Sequence, residues 1–98
     1  MAKQPLLTGR ELQEALSDAE GWRLEGEKWL VKSYLHSTFL EAIDFVNRVA
    51  QAAEEENHHP FITIEYRRVQ LKLTTWHSGG LTRLDIIMAQ RCNSLFKK

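Results

Sequence analysis

The sequence predicts an α+β fold in the order α-β-β-α-β-β-α, a four-stranded antiparallel sheet with helices packed on one face. Two β-prone segments, "WRLEGEKWLVKSYL" and "FITIEYRRVQLKLTTW", each read as a pair of runs around turn residues. Helical segments with threonine at their starts precede, separate and follow them. Hairpins alternating with helices favour an antiparallel sheet whose second layer lies on one side only.

Thr8 and Glu11 have capping-box spacing ahead of Leu12, Ala15 and Leu16, which predicts a short first helix ending near "SDAEG". A hairpin follows, with strands over 22–24 and 29–35 and Gly26 available for its turn. Ser37 or Thr38 caps the next helix, and Glu41 is placed to complete the cap. Its apolar stripe is Phe39, Ile43, Val46 and Ala50, spaced i, i+4, i+7 and i+11, and it runs to about Glu56. In the second strand pair Val69, Leu71 and Leu73 alternate with Gln70, Lys72 and Thr74, so one face is buried and the other wet. That strand carries on through Trp76 until "HSGG" breaks it. Thr82 then caps a last helix whose apolar residues include Ile86, Ala89 and Leu95.

Composition bounds the function. The 98 residues suffice for one domain, residues 1–98, and not for two. Hydrophobic residues at 43% and charged residues at 27% are those of an ordinary globular protein. The net charge is zero with histidines neutral, so no basic surplus points to nucleic acid. Cys92 is the only cysteine, which excludes an internal disulfide and fits a reducing compartment. The opening "MAKQPLLTGRE" has no apolar signal core, and no apolar run approaches the ~18 residues of a membrane span. The expected location is cytoplasmic, with no membrane partner.

The stretch "EEENHHPF", Glu54 to Phe61, breaks a local rule. It ends the long helix, yet it places three carboxylates where the helix dipole is negative and a cation is favoured by up to about 1 kcal/mol. Glu54 and His58 are four apart and would share a helix face if the helix reached that far. Pro60 drives His59 out of helical geometry, so the chain leaves the helix between these residues. A carboxylate and a helix C-terminus both favour the charged imidazolium, which suits proton transfer at physiological pH. Other residues carry plainer readings. Glu55 and Glu56 read as a solvated face, His36 as structural, and Cys92 as a small buried hydrophobe. Trp22 and Trp29 read as core, and Gly79-Gly80 as a turn rather than a phosphate loop. No HExxH or CxxC motif is present, and neighbouring histidines seldom share one metal without a third ligand, so no metal site is assigned.

Read onward, the pattern becomes Glu54-x3-His58-His59-Pro60-x5-Tyr66-x9-Trp76-x8-Asp85. This spacing resembles the signature of the pterin-4a-carbinolamine dehydratases. The segments "EGWRLEGEKWLVKSYLHSTFLEAIDFVNRVA" and "GGLTRLD" are similar to that family's first hairpin with its long helix, and to the approach to its last helix. The resemblance implies dehydration of a 4a-hydroxytetrahydropterin, released by an aromatic amino acid hydroxylase, to quinonoid dihydropterin and water. It implies no metal or redox cofactor, because the ring nitrogens supply the electron density that expels the hydroxyl.

On that basis His58 and His59 are the expected acid/base pair, and Glu54 orients or charge-tunes one of them. Pro60, Thr75, Trp76, His77, Ser78 and Asp85 are expected to complete the substrate-binding site. Animal members carry a third histidine where Trp76 stands; an indole can stack on a flat pterin but cannot act as a base. On a strand, His77 would point to the face opposite Trp76. Asp85 reads equally as a site acid and as a helix-start residue. The resemblance also implies sheet-extended homodimers or homotetramers. It leaves two other functions open: an assembly protein of the dimerisation-cofactor type, and a pterin-binding protein of another pathway such as molybdopterin metabolism.

Overall fold

A computed structural model describes residues 5–96. Helix α1 spans Gly9–Leu16, and the first hairpin consists of β1 (Arg23–Glu25) and β2 (Trp29–Leu35). Helix α2 (Phe39–Glu56) leads to β3 (Phe61–Glu65) and β4 (Arg68–Leu73). A 3-10 turn at Trp76–Ser78 precedes α3 (Arg83–Leu95). The expected order is therefore observed. All neighbouring strands are antiparallel, in the order β1-β2-β4-β3. Since β2 and β3 both oppose β4, they run parallel to each other, with α2 as the crossover and β4 between them.

Strand register sorts the side chains into two faces. Leu30 pairs with Leu73, Lys32 with Leu71 and Tyr34 with Val69. The apolar members of this set, all buried, form the core with Ala42, Phe45 and Val49 of α2 and Ile86, Ala89 and Cys92 of α3. Cys92 is a buried small hydrophobe, as expected, and burial pushes its thiol up to about 12. Tyr34, Phe45 and Phe96 meet at centroid distances of 4.8 to 5.9 Å. Asn93 fastens α3 to this layer. Its side-chain oxygen accepts from Tyr34 Oη at 2.5 Å, Lys32 Nζ at 2.8 Å and Trp22 Nε1 at 3.2 Å.

Several local expectations are corrected. The α2 stripe is rotated from the expected one. Ala42, Phe45, Val49, Ala52 and Ala53 are buried, while Phe39 and Ala50 are exposed and Ile43 and Val46 lie at the flanks. Alanines let a helix approach a sheet closely, and counting large aliphatic residues overlooks them. The Thr8–Glu11 box does not close: Thr8 makes no side-chain cap bond, and Gly9 takes a left-handed φ of 52° where the first right-handed turn would begin. At α2, Thr38 rather than Ser37 caps, accepting from the Glu41 amide at 3.1 Å. The first hairpin's leading strand begins at Arg23, one residue later than expected. β4 ends at Leu73, short of Trp76, and Thr74 is buried with its hydroxyl donating to the Lys28 carbonyl at 2.6 Å.

His36 lies inside the core, between the rings of Phe45 (4.9 Å) and Phe96 (5.2 Å), and its Nε2 has no hydrogen-bond partner among the described residues. Burial lowers its proton affinity, which Glu41 opposes and Arg48 reinforces. The folded state thus holds His36 neutral, whereas the unfolded chain takes up a proton as the pH falls through about 6.5. Stability contributed by the neutral ring is therefore lost on acidification. The urea midpoint should fall between pH 7 and pH 5 in the wild type and fall less in His36→Phe. Parallel declines in the two proteins would refute this origin for the acid sensitivity.

Candidate active site

Helix α2 ends in a way that separates the two histidines. Asn57 adopts a left-handed conformation with φ 52°. The His58 amide donates to the Ala53 carbonyl at 3.0 Å and the Asn57 amide to the Glu54 carbonyl at 3.3 Å. This is the Schellman arrangement, in which asparagine is the usual substitute for glycine. An asparagine after the last helical residue with proline three positions on is its sequence signal. The helix therefore stops before His58, and Glu54 and His58 do not pair.

His58 instead turns into the protein. It is 9% exposed, and its Nε2 lies 2.6 Å from Oδ1 of the fully buried Asp85. His59 stays outside, with a side chain 55% exposed and Nε2 2.5 Å from Oε2 of Glu54. Adjacent imidazoles thus have separate carboxylates, one buried and one solvated. Among the described residues, no group of three or more His, Cys, Asp or Glu side chains is placed to hold a metal ion.

The buried carboxylate is fixed by a defined set of donors. Asp85 Oδ2 accepts from Thr75 Oγ1 at 2.7 Å and from the Thr82 amide at 2.9 Å. A threonine hydroxyl has one proton. With the Thr75 proton committed to Asp85, the 2.8 Å contact between Thr75 Oγ1 and Thr82 Oγ1 is made by the Thr82 hydroxyl donating. Thr82 Oγ1 in turn accepts from the Leu84 amide at 3.2 Å and, with Asp85, closes the capping box of α3. Every donor points towards Asp85, so Oδ1 is left to accept from His58 Nε2–H. A buried carboxylate is costly without such donors. Nδ1 of His58 is then the ring nitrogen not engaged with Asp85.

The remaining expected site residues divide. Asp85 and Thr75, the latter 4% exposed, are buried and hydrogen-bonded to each other, and Asp85 in turn holds the His58 ring. Pro60 is half-buried and joins His59 to β3. Trp76 is 67% exposed on the 3-10 turn, where strand alternation does not apply, so the expected opposition of His77 and Trp76 has no basis. His77 is exposed on that turn, and Ser78 is half-buried with its amide donating to the Thr75 carbonyl at 3.1 Å. Tyr66, within the motif spacing, sits far along the sheet in the β3–β4 turn, stacked on Phe39 at 6.5 Å and left-handed at φ 55°. A shallow hollow of about 220 Å³ beside it, lined by Leu35 and residues 65–68, lies at the opposite end of β4 from Thr75. Glu55 and Glu56 are not merely solvated: both pair with Arg91 of α3.

Thr75→Val keeps the side-chain shape but removes a donor to Asp85 and leaves the Thr82 hydroxyl without its acceptor. It should lower unfolding free energy by about 1–3 kcal/mol in urea. Thr63→Val, on the exposed face of β3, should stay within about 0.5 kcal/mol of wild type. Equal effects of the two would remove Thr75 from the account of how Asp85 is held.

A profile of the family described as pterin 4 alpha carbinolamine dehydratase matches residues 5–95. A relative from Thermomicrobium roseum, a pterin-4-alpha-carbinolamine dehydratase by name, is 49% identical over 80 residues, covering 82% of this chain and 85% of its own. A relative from Koribacter versatilis with the same name is 49% identical over 89 residues, covering 91% and 94%. Among solved structures, a transcriptional coactivator/pterin dehydratase from Brucella melitensis superposes with a TM-score of 0.86 at 36% identity, over 91% of this chain and 96% of its own. A pterin dehydratase-like protein described as a RuBisCO assembly factor in the alpha-carboxysome shares the fold, with a TM-score of 0.67 at 22% identity over 80% of this chain and 92% of its own. This chain belongs to the pterin-4-alpha-carbinolamine dehydratase family.

Proposed function

We propose that this protein dehydrates a 4a-hydroxytetrahydropterin to quinonoid dihydropterin and water, with His58 and His59 as the acid/base pair. The supporting observation is the double dyad: each imidazole has its Nε2 held by its own carboxylate, Asp85 or Glu54. Such a bond fixes the tautomer and leaves Nδ1 as the nitrogen that gives or takes a proton. In the reaction one imidazolium protonates the leaving hydroxyl, the C4a–O bond breaks, and the other imidazole accepts a proton from a ring N–H. One proton is delivered and one removed, so no redox partner enters the balance. Positioned transfers of this kind contribute typically about 10²–10⁴-fold. Trp76 offers an exposed flat surface for the ring, and the turn carrying His77 and Ser78 borders it. Recycling of a tetrahydropterin after an aromatic amino acid hydroxylase, in the cytoplasm, belongs to the same proposal.

Sheet-extended dimers are part of it as well. β1 is a three-residue edge carrying Arg23 and Glu25, a short and charged edge that discourages pairing. All five residues of β3, the other edge, are exposed, including Phe61, Ile62 and Ile64. Pairing through β3 would cover Ile62 and Ile64, which lie on the face opposite Phe61. Among the described residues no helix is long and apolar enough to cross a membrane.

Dehydratase activity on freshly generated 4a-carbinolamine should survive exhaustive chelation; loss on chelation with recovery on adding zinc would sink the acid/base reading. His59→Ala should fold as the wild type does, because the ring is solvated. His58→Gln is the milder change at the buried position, because a glutamine amide can still donate to Asp85. Each should lose at least about tenfold in kcat. Full activity in both folded variants would remove the histidines from the chemistry.

Trp76 separates stacking from proton transfer. Stacking on an aromatic face is worth roughly 0.5–1.5 kcal/mol beyond burial, so Trp76→His should weaken binding by up to about tenfold and leave the pH profile unchanged. Faster turnover with a new ionisation in that variant would assign the position to proton transfer instead.

A further inference from the structure

Next to the histidine pair along the chain, on the sheet face opposite the core, three aromatic side chains pack on one another. Trp29 and Trp76 meet at 5.6 Å and 86°, Trp29 and Phe61 at 5.2 Å and 70°, and Phe61 and Trp76 at 5.9 Å and 37°. The cluster adjoins the site residues along the chain at two points. Phe61 follows His59 and Pro60 directly, and Trp76 follows Thr75, whose hydroxyl holds Asp85. Its members are not sealed: Trp76 is 67% exposed and Phe61 51%. Aromatic residues this open on a sheet face are a large uncovered surface, and one indole already suffices to stack a bicyclic ring. Phe61 and Trp29 provide surface beyond what that ring covers.

The charge around the cluster limits what that surface accepts. Lys72 Nζ lies 4.8 Å over the Trp29 ring, and it is paired with Glu25 Oε1 at 2.8 Å. The cation at the cluster is thus already neutralised, so an anionic group would have to compete with Glu25. Offset and edge-to-face ring contacts need no charge.

We propose that Trp29 and Phe61 form a subsite that takes a neutral aryl substituent carried by the pterin ring while the ring itself lies against Trp76 at His58 and His59. The proposal rests on the dehydratase reading and extends it from the reacting ring to the substrate's side chain. Trp29 and Phe61 are then specificity-determining residues, acting on the choice of substrate rather than on proton transfer.

The test is calorimetric titration of the wild-type protein with two stable oxidised probes, 6-phenylpterin and 6-methylpterin, which share the ring and differ in the substituent. The phenyl compound should bind about five- to tenfold more tightly. The ratio of the two affinities, which cancels effects common to both probes, should fall at least threefold in Trp29→Ala and in Phe61→Ser. Phe61 is an exposed edge residue, so the second variant remains informative if the first unfolds. A wild-type ratio near one, or a ratio unchanged in folded variants, would overturn the subsite while leaving the dehydratase reading in place. No binding of either probe by the wild type would defeat the dehydratase reading and the subsite with it. A preserved ratio in Phe61→Ser together with a halved mass by light scattering would reassign the cluster as a contact between copies of this chain.

Discussion

Asp85 is a carboxylate with no exposed surface, and much of the molecule is arranged around the cost of burying it. Its oxygens take donors from three parts of the chain: the loop after α2 through His58, the segment after β4 through Thr75, and the start of α3 through the Thr82 amide. The loop after α2 is remote in sequence from the other two, which are near neighbours joined by the Thr75–Gly80 bridge. One buried charge therefore ties the two chain segments that carry the site to the helix that covers the sheet. The same hydrogen bonds that satisfy the charge set the tautomer of His58. In the proposed reaction, stability and chemistry cannot be separated at this residue.

The second dyad follows a different rule. His59 and Glu54 are both solvated, so their contact is screened and contributes little to folding. In the proposed reaction its value lies in orienting one ring nitrogen and leaving the other to exchange a proton. The acids at the C-terminus of α2, unfavourable for the helix itself, acquire partners outside it: Glu54 takes His59, and Glu55 and Glu56 take Arg91 of α3. Arg91 thereby supplies the cation that the helix end lacks within its own sequence. Its guanidinium is held more firmly protonated by those two hydrogen bonds.

The sheet then divides the labour. One face carries the core, built on the register that sets Leu30 beside Leu73 and Tyr34 beside Val69. The other face carries the aromatic cluster of Trp29, Phe61 and Trp76, in which Phe61 follows His59 and Pro60 along the chain. Placing the site at the end of β4 leaves the turn at Tyr66, at the opposite end of that strand, outside it. Motif spacing therefore includes at least one residue whose position here is structural: a left-handed turn residue stacked on Phe39.

Local physics determined a great deal from the sequence alone. Apolar alternation in β4, threonine caps at α2 and α3 and the two hairpins are near-neighbour properties, and element order followed from them. The candidate residues Glu54, His58 and His59 were legible because acids beside paired histidines at a helix end contradict the helix dipole. Tertiary structure alone decided which carboxylate each histidine meets. His58 and Asp85 lie 27 positions apart, and only the docking of α3 brings them to 2.6 Å. It decided which stripe of α2 is buried, since close approach to the sheet rewards alanine as much as isoleucine. It also decided that Trp29, Phe61 and Trp76 form one surface, because strand register and a 3-10 turn place three distant positions together and no sequence period connects them.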